Sequence, residues 1–197
     1  VRRGGGSQLQ NSVDEAVVHI KSLTTIPVVL FPGNAFQLTN KADALLLLSL
    51  ISGRNAEWLI GQHVQAAKAI QQSALETIST GYILIDGGNT TAVERVSKTK
   101  PLQRDAIDEV VSTALAGQLL GHKLIYLEAG SGAQNPVPTA LIKAVKTAID
   151  IPLIVGGGLT STDAIKQAYE AGADIVVVGN YLETHLEKMV DFCATRN

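Results

Sequence analysis

The chain has 197 residues, 46% of them hydrophobic and only 17% charged, enough for one well-cored domain spanning 1–197 and short for two. A formal net charge of −2 excludes a basic nucleic-acid surface or a polybasic membrane anchor, and a single cysteine, Cys193, excludes an internal disulfide and suits a reducing cytoplasm. The longest apolar run, Ala42 to Ile51, is interrupted by Asp43 and Ser49 and reaches roughly half the length of a membrane helix; with no signal segment opening the chain, the expectation is a soluble, cytoplasmic protein.

In chain order, helix signals over Val13 to Leu23 lead into a short apolar strand, Val28 to Phe31, and a longer one, Ala44 to Ile51. A helix over Ala56 to Thr77 precedes a strand at Tyr82 to Asp86, and a helix over Arg104 to Leu120 precedes a strand at Leu124 to Glu128. Helix Thr139 to Ile149, strand Leu153 to Val155, helix Ser161 to Ala171, strand Ile175 to Val178 and helix Glu183 to Thr195 complete the series. The strands are short, apolar and bounded by Gly, Pro, Asn or Asp, as buried parallel strands are. Ser161-Thr162-Asp163 offers N-cap oxygens, while Gly172 and Gly121 are placed to stop helices.

Strict alternation of this kind means a parallel sheet, either open and doubly wound or closed into a (β/α)8 barrel. Closure is favoured because no insert is long enough for a second domain and because glycine turns recur at the same end of the strands. Those turns are Gly130-Ser131-Gly132, Gly156-Gly157-Gly158 and Gly179-Asn180. The last two match the phosphate site that barrels build after strands seven and eight. Counting backwards makes Leu124 to Glu128 strand six and Val28 to Phe31 strand three, so that Gly4-Gly5-Gly6-Ser7 is left for the end of strand two and nothing for strand one. The expectation is a TIM barrel whose first strand is missing from this sequence.

Turns without bulky side chains let an anion reach backbone N–H groups. On a strand Leu124, Tyr126 and Glu128 share one face, and Ile125 and Leu127 the other. In a barrel the apolar pair packs outward, and Tyr126 and Glu128 point at the mouth, where a carboxylate can accept a hydroxyl proton. The plainer alternative makes Glu128 an ion-pair partner and Tyr126 a core phenol. Asp86 shares a face with Tyr82 and Leu84 and either faces the mouth or caps its own turn. Lys98, Lys100 and Arg104 form a loose basic group that either attracts a diphosphate or is simply solvated. The four histidines, His19, His63, His122 and His185, lack metal-ligand spacing. Trp58 packs in the core, lines a groove or meets another subunit.

The segments Gly5-Gly6-Ser7, Phe31-Pro32-Gly33, Ser52-Gly53-Arg54-Asn55, Tyr82 to Gly88, Tyr126 to Ala133, Gly156 to Leu159 and Gly179-Asn180 together resemble the geranylgeranylglyceryl phosphate synthase family, in its larger group, which occurs in archaea and bacteria. The resemblance spans almost the whole chain and is most specific over Tyr126 to Gly132. It implies a (β/α)8 barrel that forms an ether bond between the 3-hydroxyl of sn-glycerol 1-phosphate and geranylgeranyl diphosphate, releasing pyrophosphate in ether phospholipid biosynthesis. By the same resemblance Tyr126, Leu127, Glu128, Ala129, Gly130, Ser131, Gly132, Gly157, Gly158, Gly179 and Asn180 hold the glycerol phosphate. Glu128 and Tyr126 are then the catalytic pair, Ser7 falls at a Mg2+ site, and a homo-oligomer is expected. The family's other metal residue, an aspartate on strand one, has no counterpart in this sequence. Two rival readings are a sugar-phosphate isomerase or lyase and a non-catalytic barrel that binds a phosphorylated metabolite. The first needs a second proton-transfer group, for which Asp86 is the only candidate; the second has little use for an inward Glu128.

Overall fold

The computed structural model describes residues 5–33 and 38–195, with side chains from residue 13 onward. Among the described residues the chain is an α/β fold whose strands are β1 (Val29–Leu30), β2 (Ala44–Leu50), β3 (Glu76–Leu84), β4 (Leu124–Glu128), β5 (Leu153–Gly156) and β6 (Ile175–Val177). They hydrogen-bond in chain order, with parallel registers that include Val29↔Ala44, Tyr82↔Tyr126, Leu127↔Val155 and Val155↔Val176. The helices between them are α1 (Gly5–Leu23), α2 (Gln62–Gln72, entered through a π-helical turn at Glu57–Gly61), α3 (Ala92–Ser97), α4 (Ile107–Leu119), α5 (Thr139–Ala148), α6 (Thr162–Glu170), α7 (Asn180–Thr184) and α8 (Met189–Ala194). No helix of the described residues is long and apolar enough to cross a membrane.

The chain divides into two compact units, residues 1–47 with 56–79 and residues 48–55 with 80–197. The first has its own core of Val17, Leu30, Ala42, Leu45 and Leu75, flanked by Val13, Val28, Leu38 and Ile70. At its edge Asp43 accepts from the Val28 N–H at 2.8 Å and from Lys21 Nζ at 2.6 Å, fixing the entry to β2. The second unit is centred on fully buried Ile83, Leu84, Ile125, Leu127, Leu141, Ile142, Val145, Leu153 and Val155. Gly81 on β3 and Gly117 on α4 face the same side chains, Ile51 and Ile125. A Cβ at either would sit 2.8 Å and 2.9 Å from their Cδ1 atoms, so the helix lies close on the strand because both positions are bare. A separate cluster of Leu159, Ile165 and Phe192 holds the C-terminal helices.

Four boundaries differ from the sequence expectation. The helix expected over Ala56 to Thr77 stops at Gln72, where Ser73 turns extended (ψ 156°), and Glu76 and Thr77 open β3; the β-branched residues Thr77, Ile78 and Thr80 favour a strand there. Helix α1 begins at Gly5 instead of Val13, so Gly5, Gly6 and Ser7 lie in a first helical turn and not at a strand end. Glycine costs about 1 kcal/mol per helical position relative to alanine, but first-turn N–H groups make no intrahelical bonds, so the helix start tolerates it. The helix expected over Glu183 to Thr195 is broken into α7, a 3-10 turn at Leu186–Lys188, and α8, with His185 non-helical (φ −134°, ψ 56°). Helix α3 lies in the expected loop after β3. Its Thr91 N-cap accepts from the Glu94 N–H at 3.1 Å, and the spacing Thr91-x-x-Glu94 is the overlooked signal that could have found it.

Candidate active site

Every strand end in the second unit opens in one direction because the sheet is parallel, and the glycine turns follow β4, β5 and β6 at those carboxyl ends. Side-chain alternation on β4 puts Tyr126 and Glu128 on one face. Both are buried, Tyr126 at 1% and Glu128 at 8% exposure. The Tyr126 hydroxyl is hydrogen-bonded to the Glu128 carboxylate. Glu128 Oε1 also accepts from the Gly130 N–H at 2.7 Å, so the carboxylate is fixed from its strand and from its turn. Tyr82, opposite Tyr126 in the register, meets it edge-to-face with ring centroids 5.3 Å apart.

Among the described residues no lysine or arginine pairs with Glu128. The ion-pair alternative therefore fails. Burial pushes the Glu128 pKa up, and the bonds from Tyr126 and Gly130 offset only part of that rise. Burial and the neighbouring Glu128 charge raise both Tyr126 and Tyr82, so the phenols stay protonated. A carboxylate with a raised pKa, held by two donors at a strand end, is a stronger base than an exposed one and is placed to take a proton.

The turn after β5 is shaped around this carboxylate. A Cβ on Gly156 would collide with the Tyr126 hydroxyl and come within 2.9 Å of Glu128 Oε2. At Gly157, whose φ of +85° itself favours glycine, a Cβ would stand 2.6 Å from Glu128 Oε1 and 2.6 Å from the Gly130 nitrogen.

The expected phosphate ligands are brought to this same end and separate by what their amides already do. The Ala129 N–H is committed to Gly156 O at 2.9 Å and the Gly130 N–H to Glu128. Among the described residues the N–H groups of Ser131, Gly132, Gly157, Gly158, Gly179 and Asn180 meet no protein acceptor. Ser131 Oγ donates to Asn180 Oδ1, tying the turn after β4 to the start of α7. Leu127 is fully buried on the opposite face and can offer a ligand only backbone.

Asp86 Oδ1 accepts from the Gly88 N–H at 2.9 Å, so its side chain caps its own turn. Arg104 Nη1 reaches Asp86 O at 3.1 Å and Asn135 O at 3.4 Å, clamping two turns together. Ser7 lies in the first turn of α1, with its side chain outside what is described. Among the described residues no group of three His, Cys, Asp or Glu side chains can hold a metal ion. His19 and Cys193 are exposed, and Trp58 is half-buried in the π-helical turn. Sequence reasoning missed Gly156 as a contact of Tyr126 and Glu128 and Thr91 as the residue packed against Gly130; the triple glycine and the capping spacing were their signals.

The profile of the PcrB family matches residues 4–196. The chain is 52% identical over 180 residues to geranylgeranylglyceryl phosphate synthase of Flavobacterium johnsoniae, covering 91% of this chain and 74% of that protein. It is 39% identical over 182 residues to the protein of the same name from Pyrococcus abyssi, covering 92% and 71%. Among solved structures, it is similar to (S)-3-O-geranylgeranylglyceryl phosphate synthase from Thermoplasma acidophilum in complex with substrate sn-glycerol-1-phosphate, with a TM-score of 0.84, 36% identity, and 94% and 73% coverage.

Proposed function

The chain belongs to the PcrB family, and on that premise we propose that it is a prenyltransferase joining the 3-hydroxyl of sn-glycerol 1-phosphate to geranylgeranyl diphosphate. The observation that carries this reading is the buried Tyr126–Glu128–Gly130 chain set beside turns whose N–H groups have no acceptor among the described residues. The glycerol phosphate anion is held by the amides of Ser131, Gly132, Gly157, Gly158, Gly179 and Asn180, where backbone donors suit a phosphate. Glu128 takes the proton of the 3-hydroxyl as that oxygen bonds to the prenyl C1. The C1–O bond to the diphosphate breaks with its electron pair, and pyrophosphate leaves. Tyr126 orients the carboxylate. The Thermoplasma enzyme's complex with sn-glycerol-1-phosphate supports the acceptor, and the relatives' shared name supports the donor.

The finer features rest on the resemblance. We take the six strands as part of a (β/α)8 barrel, in a cytoplasmic homo-oligomer. Magnesium, with Ser7 as the ligand this chain supplies, would stabilise the charge growing on the leaving pyrophosphate. The described residues hold no metal cluster, so no step is routed through the ion. The commitment of Asp86 to its own turn weighs against an isomerase or lyase that needs a second proton-transfer group.

The test is incubation of the protein with sn-glycerol 1-phosphate, magnesium and prenyl diphosphates of several lengths, with lipid products separated by chain length. The expected result is an ether-linked product with the geranylgeranyl donor favoured. Absence of any ether product would reject the reading.

A further inference from the structure

The amide on which Glu128 rests is itself held by a residue outside the proposed acceptor site. Gly130 donates to Glu128 Oε1 at 2.7 Å, and its backbone is left-handed, with φ +101°. Gly157 lies against the Gly130 nitrogen, and the Ala133 N–H donates to the Gly130 carbonyl at 3.1 Å. The remaining neighbour is Thr91. A Cβ on Gly130 would collide with Thr91 Cγ2 and come within 3.1 Å of Thr91 Cβ. The Thr91 methyl group therefore occupies the place that a side chain at Gly130 would take.

Thr91 is 3% exposed, and its side chain is fixed at the other branch as well. Its Oγ1 accepts from the Glu94 N–H at 3.1 Å as the N-cap of α3. On a β-branched residue one torsion sets both substituents, so the bond that fixes the hydroxyl also aims the methyl group at Gly130. The chain leading to Thr91 is docked along the same turn. Gly87 O accepts from the N–H groups of Gln134 and Asn135 at 2.9 Å and 3.1 Å, and Asn89 Nδ2 donates to Gly132 O at 3.1 Å. Gly87 lies so close that a Cβ there would collide with Ala129 O. Arg95 Nη1 reaches back from α3 to Thr90 O at 2.9 Å. The turn after β3 is thus built as a support for the turn after β4, and Thr91 is where that support meets the residue bonded to the carboxylate.

We propose that Thr91 is a positioning residue for Glu128, its methyl group backing the Gly130 peptide and holding the Gly130 N–H on the carboxylate. It acts only through Gly130, and the inference rests on Glu128 as the base of the proposed transferase. Without the methyl group the Gly130 peptide gains room to turn, and the carboxylate loses its hold on one of its two donors. That bond lowers the Glu128 pKa against the rise caused by burial, so weakening it moves the pKa further up. Among the described residues the other titratable groups facing Glu128 are Tyr126 and Tyr82, both kept protonated; a change at position 91 leaves them in place.

The test compares Thr91→Ser, which keeps the cap oxygen and removes the methyl group, with Thr91→Val, which keeps that methyl group and removes the cap. Each should lower the melting midpoint by a similar amount, about 2–4 °C, one for a buried methyl group and the other for a lost cap. A difference between them in turnover is then not a difference in stability. The readouts are kcat and KM across pH, and titration of the Glu128 carboxyl carbon by NMR, assigned against Glu128→Gln. Thr91→Ser is expected to lose roughly threefold to tenfold in kcat, with KM for glycerol phosphate within about twofold because its backbone donors are untouched. Its Glu128 titration and the acid limb of its kcat should both move to higher pH. Thr91→Val should rescue all three. Wild-type kcat and titration in Thr91→Ser, or equal losses in Thr91→Val, overturns the proposal and leaves the transferase reading of an active wild type intact. If the titration moves as expected while the wild type makes no ether product, the positioning role stands and the transferase reading falls.

Discussion

Two carboxylates of the second unit, Glu128 and Asp174, sit at opposite ends of the sheet and are treated in opposite ways. Asp174 precedes β6 at the amino end of the strands; its Oδ2 accepts from Lys146 Nζ and from the Leu153 N–H, each at 2.7 Å. Burial acts to raise its pKa, but the lysine and the amide outweigh it and the value falls below the ordinary one. Asp43 in the first unit repeats the device, with Lys21 and the Val28 N–H lowering its pKa. Glu128, at the carboxyl end, is more deeply buried, has no cation, and is raised. The amino ends of these strands hold charge in its stable form and fasten the fold, whereas the carboxyl end keeps a carboxylate ready to change protonation. Such a division, with stability held at the amino ends of parallel strands and ligands taken at the carboxyl ends, is the usual arrangement in parallel α/β sheets.

The contrast breaks most visibly at Glu128. Glu128→Gln keeps the shape and can still accept from Gly130 but loses the base, so turnover is expected to fall by about a hundredfold or more. The affinity for glycerol 1-phosphate, measured by calorimetry, should change by less than about threefold, because backbone amides hold the phosphate. Tyr126→Phe, which removes an orienting bond, should cost less turnover. Near-normal turnover in Glu128→Gln would remove the residue as base.

A smaller effect is expected at Gly156→Ala. The added methyl group presses on the Tyr126 hydroxyl and on Glu128 Oε2, so the carboxylate moves while the anion turns stay. We expect a loss of roughly tenfold in kcat from misplacement of the catalytic pair, with KM for glycerol phosphate little changed. A raised KM with intact kcat would show that Gly156 serves the phosphate instead.

Asp174→Ala should do the reverse, leaving kcat unchanged and lowering stability by about 1 kcal/mol. That is the scale of one lost hydrogen bond with a half-exposed ion pair. The sign of its pH dependence follows from its lowered pKa. The stability it contributes is present above the ordinary carboxyl value of 3.8 and lost as pH falls through the lower folded value. Thermal melts of the two proteins should therefore converge in acid. A turnover loss equal to that of Glu128→Gln would erase the distinction between the two ends.

Much of this was legible in the sequence because the strands are short apolar runs closed by glycine. Leu124 to Glu128 matches β4 residue for residue, and alternation alone put Tyr126 and Glu128 on one face. Capping chemistry was equally readable where the cap is local: Ser161 Oγ accepts from the Ala164 N–H at 3.1 Å as expected. Legibility failed where a choice depends on distant partners. Whether Asp86 faces a ligand or Gly88 is decided by the turn's seating on Gln134 and Asn135, whose N–H groups donate to Gly87 O. Thr91 and Gly130 are separated by many residues, and their contact comes from the docking of one turn on another, which spacing does not encode. The start of β3 was hidden because no glycine or proline separates it from α2, and the chain leaves the helix at Ser73 without a strong breaker.

The most direct measurement of the central claim is the pH dependence of kcat for the wild type and Glu128→Gln. A base must be ionised to act, so wild-type activity should rise with pH through a value above the ordinary 4.5 of a glutamate, in the direction that burial moves Glu128. The residual activity of Glu128→Gln should lack that acid limb. An acid limb at the ordinary carboxyl value, or one that persists unchanged in Glu128→Gln, would contradict the account.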